Sequence, residues 1–435
     1  MRRSCFALAV LATLAAAPRA RAVVTAQIFG PGSESFPIAV VPLKNLGGDA
    51  GGVMGARFAQ ILSHDLDLSG YFRLLDPKTF IEDQSSGITA PEIDFVGWGA
   101  LGAQALVKGG VTVTGEAVTV EVRLFDVPGR QDVPQASRRY SGPRDDLPRM
   151  AHKTADAILE FLTGERGPFD SSIALVSTRA GRLKDVYRLT FDQDDPVRVT
   201  DERSLVVNPR WRPDARAILF TSYREHFPHL FQVELPARRV ARVVPGPGEV
   251  LDGAWSPDGS RLLVTRVQGG NSDIFLVDRA GQVLKQLTDH WAIDVAPAWA
   301  PDGRRFAFCS ARAGSPQIYM MSVEGGSATR VSTSGSYNTS PAWSPKGDRL
   351  AWTTRASGGF QIVVAAADGS GPRTITAAGS NENPSWAPDG RYVVFSSTRA
   401  GRVHLFLADR DGRTQKQLTR GAADDTSPAW SPRLD

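Results

Sequence analysis

Trp343-Ser-Pro-Lys-Gly347 is one of six copies of the same short frame in this chain. The other copies begin at Trp211, Trp255, Trp299, Trp386 and Trp430, so neighbouring frame tryptophans lie 43 or 44 residues apart. A fixed period of this length, with strand-like segments between the markers, is typical of a β-propeller with one blade per repeat. The sequence therefore predicts a ring of blades over the second part of the chain.

The repeat that starts at Pro297 shows the unit of the ring most plainly. It contains four short strand candidates, at residues 297–299, 305–309, 317–321 and 329–332, with turns between them. Where the frame reads Pro-Asp-Gly it suits a type I turn, because Pro fixes φ at the second position and Gly accepts a positive φ at the fourth. Each frame is expected to form the first hairpin of a blade, with its Trp packed between blades.

Strand candidates at both ends of the repeat region supply the last blade. Residues 172–177, 185–189 and 197–200 form three strands before the first frame, and residues 427–430 form a Trp strand after the last complete repeat. Together they make one blade, and such closure removes the free sheet edges of the ring. We therefore expect an all-β six-bladed β-propeller that is closed by both ends of its own segment.

A smaller domain is expected before the ring. Between Pro37 and Thr163, strand and helix patterns follow the order β-α-β-α-β-β-β-α, which is typical of an α/β layer domain. Helical spacing is clearest for Phe58, Ile61, Leu62 and Leu66. We place the α/β domain at residues 37–165, a joint at 164–168 and the propeller at 170–435.

The first 36 residues have a different character. Residues 1–22 fit a secretory signal peptide, with Arg2-Arg3, an apolar run and an A-x-A cleavage frame that ends at Ala22. Residues 23–36 are expected to form a flexible N-terminal segment or, alternatively, an edge strand of the next domain. This pattern predicts export to the periplasm.

Composition excludes some classes of partner. The four arginines of the signal account for the formal net charge of +4, so the mature chain is neutral and no nucleic-acid partner is expected. No mature segment reaches the ~18 consecutive apolar residues of a membrane span. We expect a monomer with no direct membrane span.

Residues that commonly carry catalysis or bind metals form no convincing set. Gly-x-Ser-x-Gly is absent from the sequence, which argues against a hydrolase attached to the propeller. His226 and His229 have metal-like spacing but flank a predicted turn, and a metal site needs further ligands. Cys309 lies in an apolar strand and is expected to be a buried free thiol. We expect no catalytic residue, no cofactor and no metal.

The segments that lead into the Trp strands, here called the approach loops, differ from blade to blade and are polar. Because strands in a meander alternate in direction, these loops are expected on the same face as turns that carry Arg179, Arg312, Arg355 and Arg399. One mouth of the central channel should then present polar groups to a protein partner, as ring loops often do. A hydrated rim without a partner is the alternative. The candidate protein-binding residues are Asn208, Asp252, Asp294, Asn338, Thr339, Asn381, Glu382, Asp425 and Thr426.

With a signal peptide, an α/β domain, a joint and six Trp-Ser-Pro-Asp-Gly-type blades in this order, the whole mature chain resembles the TolB family. This family is the periplasmic component of the Tol-Pal envelope system of Gram-negative bacteria. The resemblance implies a non-enzymatic adaptor that binds the peptidoglycan-associated lipoprotein Pal through the propeller mouth and TolA through the mature N-terminus. It also implies a role in outer-membrane invagination during cell division and in envelope integrity.

Carried over by position, the TolA-binding segment would consist of Val23, Val24, Thr25, Ala26, Gln27, Ile28 and Phe29. The family's Asn-Thr-x-Pro approach to the Trp is present at Asn338-Thr-Ser-Pro341, whereas the approaches through Asp252 and Asp294 depart from it. The resemblance also implies that Pal binding is coupled to exposure of the N-terminal segment. A propeller hydrolase and a peptidoglycan or carbohydrate binder are the alternative functions.

Overall fold

A computed structural model describes residues 35–83, 85–193 and 195–434 of the chain. The expected signal peptide and residues 23–34 lie outside this description, and Val23 to Phe29 are among them. Two parts follow one another: a mixed sheet with three α-helices, and six four-stranded antiparallel sheets. This confirms the expected fold class of an α/β domain followed by a six-bladed β-propeller.

The first part contains the elements of the α/β domain. They are β1 (Phe36–Val40), β2 (Lys44–Gly47), α1 (Val53–Ser69), β3 (Phe72–Leu74), α2 (Phe95–Ala100), β4 (Ala105–Thr114), β5 (Ala117–Asp126), β6 (Gln131–Asp132), β7 (Arg138–Pro143) and α3 (Leu147–Thr163). The sheet order is β3-β1-β4-β5-β6, with β2 on β4 and β7 on β5. The sequence pattern missed only the short strands β2 and β6, because so few residues carry no readable period.

Side chains of β1, which lies between β3 and β4, cover both faces of this sheet, as alternation along a strand requires. Ile38 and Val40 belong to a core that includes Phe58 and Leu62 of α1 and residues of α3, whereas Ala39 packs with Trp98 of α2. The larger core continues into the propeller. The two parts of the chain therefore share apolar packing.

The ring consists of six blades. Blade 1 is β11 (Val206–Trp211), β12 (Ala217–Glu225), β13 (Phe227–Glu234) and β14 (Arg239–Arg242); blade 2 is β15 (Val250–Trp255), β16 (Arg261–Gln268), β17 (Asn271–Asp278) and β18 (Val283–Gln286); blade 3 is β19 (Asp294–Trp299), β20 (Arg305–Ser310), β21 (Gln317–Ser322) and β22 (Thr329–Arg330). Blade 4 is β23 (Asn338–Trp343), β24 (Arg349–Ala356), β25 (Gly359–Ala366) and β26 (Arg373–Thr374); blade 5 is β27 (Asn381–Trp386), β28 (Tyr392–Ala400), β29 (Arg402–Asp409) and β30 (Gln415–Gln417); blade 6 is β8 (Ile173–Ser177), β9 (Asp185–Leu189), β10 (Val197–Arg198) and β31 (Asp425–Trp430).

The Trp strand is the innermost strand of each blade, and neighbouring Trp strands contact one another around the channel. The six frame tryptophans are only 6–8% exposed. Nε1 of Trp299 donates a hydrogen bond to the carbonyl of Ala254 in the preceding blade, at 3.0 Å, and Trp386 makes the equivalent bond to Ala342 at 3.1 Å. These tryptophans therefore join neighbouring blades, in agreement with the sequence interpretation.

Blade 6 closes the ring, because β31 from the end of the chain pairs antiparallel with β8. The backbone N–H of Ser431 donates to the Ser172 carbonyl at 2.8 Å, and Trp430 Nε1 donates to Ser171 Oγ at 2.8 Å. Through this pairing β8 has a partner on each side, β9 and β31, so its inner edge is not left open.

The ring has two faces, defined by the direction of the Trp strands. The approach face is where these strands begin, and the Trp face is where they end. Hydrogen bonds and ion pairs described between the α/β domain and the propeller lie on the Trp face: Tyr392 Oη donates to the Ser69 carbonyl at 2.7 Å, and Glu165 pairs with Lys346 at 2.7 Å. The α/β domain thus leaves the approach face open. Among the described residues, no helix is long and apolar enough to span a membrane.

Candidate protein-binding site

Four of the candidate residues begin Trp strands and are fully buried. They are Asp294, Asn338, Asn381 and Asp425. In blades 1 and 2 the same position is occupied by the buried apolar residues Val206 and Val250. The sequence interpretation that these four side chains line the mouth needs correction, because each is enclosed by neighbouring strands, and Asn338 and Asn381 contact the preceding blade. Strand alternation alone could not reveal which side of the strand faces the interior.

Hydrogen bonds explain why polar side chains are tolerated at this buried position. Asn338 Nδ2 donates to Gln317 Oε1 at 2.7 Å and to the Ser334 carbonyl at 2.8 Å, while its Oδ1 accepts from Trp352 Nε1 at 3.0 Å. Asn381 is held in the same way by Gln361, at 2.9 Å. Asn338 and Asn381 thereby tie the approach loops of blades 4 and 5 to the preceding blade.

Arginines of the approach face are held by the same residues. Arg312 Nη2 lies 2.9 Å from Asp294 Oδ2, and Arg179 Nη2 lies 2.9 Å from Asp425 Oδ2. Arg399 Nη2 donates to Asn381 Oδ1 at 2.8 Å and its guanidinium lies 4.6 Å from the centroid of the Phe406 ring. A planar guanidinium held in this way loses little entropy when it binds a further group. The expected location of these arginines beside the approach loops is thus observed.

Asn208 and Asp252 lie further along their strands and border the channel. A β-bulge interrupts the Trp strand here: five blades have a residue with positive φ before the Pro, and Asn208, with φ of 54°, is one of them. Pro cannot donate to the ladder, so pairing breaks at this point. In blade 2 Gly253 replaces the Pro, and Asp252 Oδ2 instead accepts the Ala296 N–H at 3.0 Å. Burial raises the pKa of Asp252, against the opposing effects of Arg210 and this N–H.

The remaining three candidates are half-buried at the second position of their Trp strands: Thr339, Glu382 and Thr426. Ser380 donates weakly to Glu382 Oε1, at 3.4 Å, and Thr426 Oγ1 donates to the Val176 carbonyl at 3.4 Å. Long hydrogen bonds of this kind are easily exchanged for better ones with a partner. These three side chains remain partly accessible at the mouth.

Exposed apolar side chains on the approach face were missed by the sequence analysis. Trp291 is 78% exposed and Ile293 is 55% exposed, both in the approach loop of blade 3; Phe227, at the start of β13, is 59% exposed. Tyr337 and Phe360 contact one another with ring centroids 5.9 Å apart in blade 4. A Trp outside the six frames, in a loop, was the signal that could have identified this patch. Exposed aromatic residues beside fixed polar groups are typical of protein-binding surfaces.

Of the other residues weighed for chemistry, Cys309 and His229 have structural partners. Cys309 is buried, as expected, and burial raises the pKa of its thiol to about 11. His229 Nδ1 lies 3.0 Å from Arg242 Nη2, whereas His226 is exposed in the turn. Within residues 35–83, 85–193 and 195–434, no three His, Cys, Asp or Glu side chains are grouped as metal ligands would be.

Comparison with known proteins agrees with this architecture. The chain matches the family described as the TolB beta propeller domain over residues 159–434, and the one described as the TolB amino-terminal domain over residues 24–133. It is 39% identical over 194 residues to a Tol-Pal system protein TolB of Syntrophotalea carbinolica, with 44% of each chain covered. It is 40% identical over 192 residues to the protein of the same name from Geobacter sulfurreducens, covering 44% of this chain and 43% of the relative. The matched region thus spans less than half the length of these curated relatives.

A solved structure extends the likeness to nearly the whole chain. The crystal structure of TolB from Acinetobacter baumannii superimposes with a TM-score of 0.80 at 28% sequence identity, and the match covers 93% of this chain and 98% of that one. Both the α/β domain and the ring are included in that coverage. From the propeller match over more than half of its length, the chain belongs to the TolB family.

Proposed function

We propose that this protein is a non-enzymatic periplasmic adaptor of the Tol-Pal system, which binds Pal through the approach face and TolA through residues 23–29. Through these contacts it would support outer-membrane invagination during division and envelope integrity. The relatives' names support membership of the system. The observation that carries the choice of surface is the exposed pair Trp291 and Ile293, which stands beside hydrogen-bonded approach loops on the face that the α/β domain leaves open.

The physical properties of this surface favour a folded protein partner. Apolar anchors such as Trp291 supply binding free energy when they are desolvated, while polar groups around them set orientation. Thr339, Glu382 and Thr426 are half-buried and able to exchange weak internal contacts for contacts with a partner. The arginine pairs behind them keep the loops in shape, so little ordering cost is paid on binding.

The Pal proposal is tested by calorimetric titration of the exported protein with the soluble domain of Pal from the same organism. Trp291→Ala and Ile293→Ala should each weaken binding by at least about tenfold, which is the ~1.4 kcal/mol expected when an anchor is truncated. Leu284→Ala is the matched control, because Leu284 is 54% exposed and lies on the outer strand β18. Unchanged affinity for both mouth variants would reject the approach face as the Pal site.

The TolA and localisation proposals need separate tests. Deletion of residues 23–29 should abolish capture by the periplasmic part of TolA while the far-ultraviolet circular dichroism stays unchanged. Osmotic-shock fractionation should release the protein with periplasmic markers. Retained TolA capture by the deletion variant would reject the N-terminal segment, and retention of the protein in the cytoplasmic fraction would reject export.

A further inference from the structure

We propose that the Trp-face mouth of the channel is a second binding site, which takes a ligand with a carboxylate group and recognises it through Arg210. This site lies at the opposite end of the channel from the approach loops. It does not depend on the proposed binding of Pal or TolA.

The site is a funnel of about 680 Å³ that opens at the ends of the six Trp strands. Its wall consists of the frame tryptophans and most of the prolines that follow them. Arg210 and Arg433 are the charged residues that line it, and no Asp or Glu is among its described lining residues. Arg433 donates to the carbonyls of Gly167 and Arg166 at 3.2 and 3.0 Å, so it is already engaged with the joint between the domains. Arg210 is left as the cation available to a ligand.

Arg210 departs from the pattern of the ring. It directly precedes the frame Trp of blade 1, where the other blades have a small residue: Ala254, Ala298, Ala342, Ser385 and Ala429. Five small side chains leave the channel open, and one long cationic side chain enters it. The repeat therefore does not require an arginine here for packing.

The guanidinium of Arg210 has only one hydrogen bond within the described protein. Its Nη1 donates to the Pro209 carbonyl at 3.0 Å. Asp252 acts on it through charge, but no described carboxylate lies within ion-pair distance, and Asp252 Oδ2 is occupied by the Ala296 N–H. Burial lowers the pKa of Arg210. Arg210 is half-buried and lines the open funnel, so its remaining donors, which have no hydrogen-bonded counter-charge in the described protein, can bind an anion from outside the chain.

The geometry of the free donors indicates which anion fits. With Nη1 occupied, Nε and Nη2 remain, and these two atoms form the edge of the guanidinium that binds both oxygens of a carboxylate. One guanidinium balances one carboxylate charge, whereas a dianionic phosphate would call for further cations. The Trp and Pro wall favours a ligand whose carboxylate is carried on an apolar body. A free organic acid and the C-terminus of a peptide both have this chemistry.

The test compares acetate, acetyl-trialanine with a free C-terminal carboxylate, and the same peptide as its C-terminal amide. Binding to the full mature chain is followed by tryptophan fluorescence, since the frame tryptophans line the site, and by calorimetry. We expect saturable binding of a carboxylate probe below about 10 mM and binding of the peptide amide weaker by at least about tenfold, because the amide cannot form the charged bidentate pair. Tighter binding of the peptide acid than of acetate would identify a peptide terminus as the ligand. Tighter binding of acetate than of the peptide acid would identify a small organic acid.

Arg210→Ala tests the assigned residue and places in blade 1 the residue that four other blades have. We expect this variant to fold with an unchanged or higher melting temperature and to bind the carboxylate probe at least about tenfold more weakly. Arg239→Ala, on the exposed outer strand β14 of the same blade, is the control and should bind as the unaltered protein does. Equal affinity for peptide acid and amide, retained binding by Arg210→Ala, or no binding of any carboxylate probe at about 10 mM would each overturn the proposal.

Discussion

His152 Nδ1 in α3 lies 2.7 Å from Asp65 Oδ2 in α1, and the same imidazole reaches the propeller with Nε2 3.5 Å from Asp192 Oδ1. His152 and Asp65 are almost fully buried. Burial by itself lowers the pKa of His152, but the two carboxylates outweigh it and raise this pKa to about 10. An imidazolium thus sits at the boundary between the α/β domain and the ring, where it joins the two helices to the β9–β10 turn.

This arrangement predicts a pH-dependent stability. The pKa of His152 in the folded protein is above its ordinary value of 6.5, so its contribution is complete below about pH 6.5 and is lost as pH rises towards about 10. The free energy of unfolding, measured by urea denaturation at several pH values, should fall over this window. His152→Gln should be less stable at pH 6 and should show a flatter dependence up to pH 10.

A control variant separates this effect from other titrating groups. His226 is exposed in a turn with φ of 74°, and His226→Asn keeps a residue that accepts this conformation. It should follow the pH dependence of the unaltered protein. If His152→Gln does so as well, the imidazolium is not what stabilises the domain boundary.

Ring closure predicts a large effect at Asp425. Its carboxylate accepts from Ser177 Oγ at 2.6 Å and from Arg179 Nη2 at 2.9 Å, and Arg179 is 246 residues away in the chain. Asp425→Ala should lower the free energy of unfolding by about 3 kcal/mol, because it leaves buried polar partners without their counter-charge. Urea denaturation measures this loss.

Asp294→Ala provides the matched comparison, since it removes an equivalent pair with Arg312 inside blade 3. There the β19–β20 hairpin keeps the two strands adjacent after the pair is lost, whereas only non-covalent contacts join β31 to β8. The Asp425 variant should therefore also be cleaved faster by protease at the ends of the ring. Identical stability and cleavage for the two variants would contradict a special role of the closing pair.

We expect substitution by Arg to have different effects on stability at the neighbouring residues Asn338 and Thr339. Asn338 is fully buried and makes three hydrogen bonds, so Asn338→Arg should destabilise the protein by at least about 3 kcal/mol through a buried unpaired charge and lost partners. Thr339 is half-buried, and Thr339→Arg should change stability by less than about 1 kcal/mol while it weakens Pal binding. Thermal unfolding and calorimetric titration distinguish the two. A stable Asn338→Arg protein would mean that this side chain can leave the blade.

We expect the thiol of Cys309 to be alkylated slowly in the folded protein. Its thiol is buried, donates to the Asn338 carbonyl at 3.4 Å and has its pKa raised to about 11 by burial. At pH 8 only about 0.1% of the thiol is ionised, and thiolate is the reactive species. Modification by iodoacetamide should follow the urea unfolding curve; rapid labelling without urea would show that blades 3 and 4 separate locally.

The sequence by itself determined the ring, its blade number and the order of its strands. The frame tryptophans repeat within one blade length, and each blade is a meander of neighbours in the chain, so local turn chemistry and alternation were sufficient. The unequal ends, three strands before the first frame and one Trp strand after the last repeat, predicted closure because no other pairing completes a four-stranded blade. The order of elements in the α/β domain followed from periodicity in the same way.

Only the tertiary structure decided which polar residues face a partner. Asn338 and Thr339 are consecutive and equally polar, yet one is enclosed by Gln317 and Trp352 and the other borders the mouth. The exposure of Trp291, the position of Arg210 in the channel and the pair of His152 with Asp65 likewise depend on elements far apart in the chain. The local sequence pattern determines how side chains alternate along a strand. Burial and charge pairing depend instead on which side chains of the neighbouring blade or helix lie beside that strand.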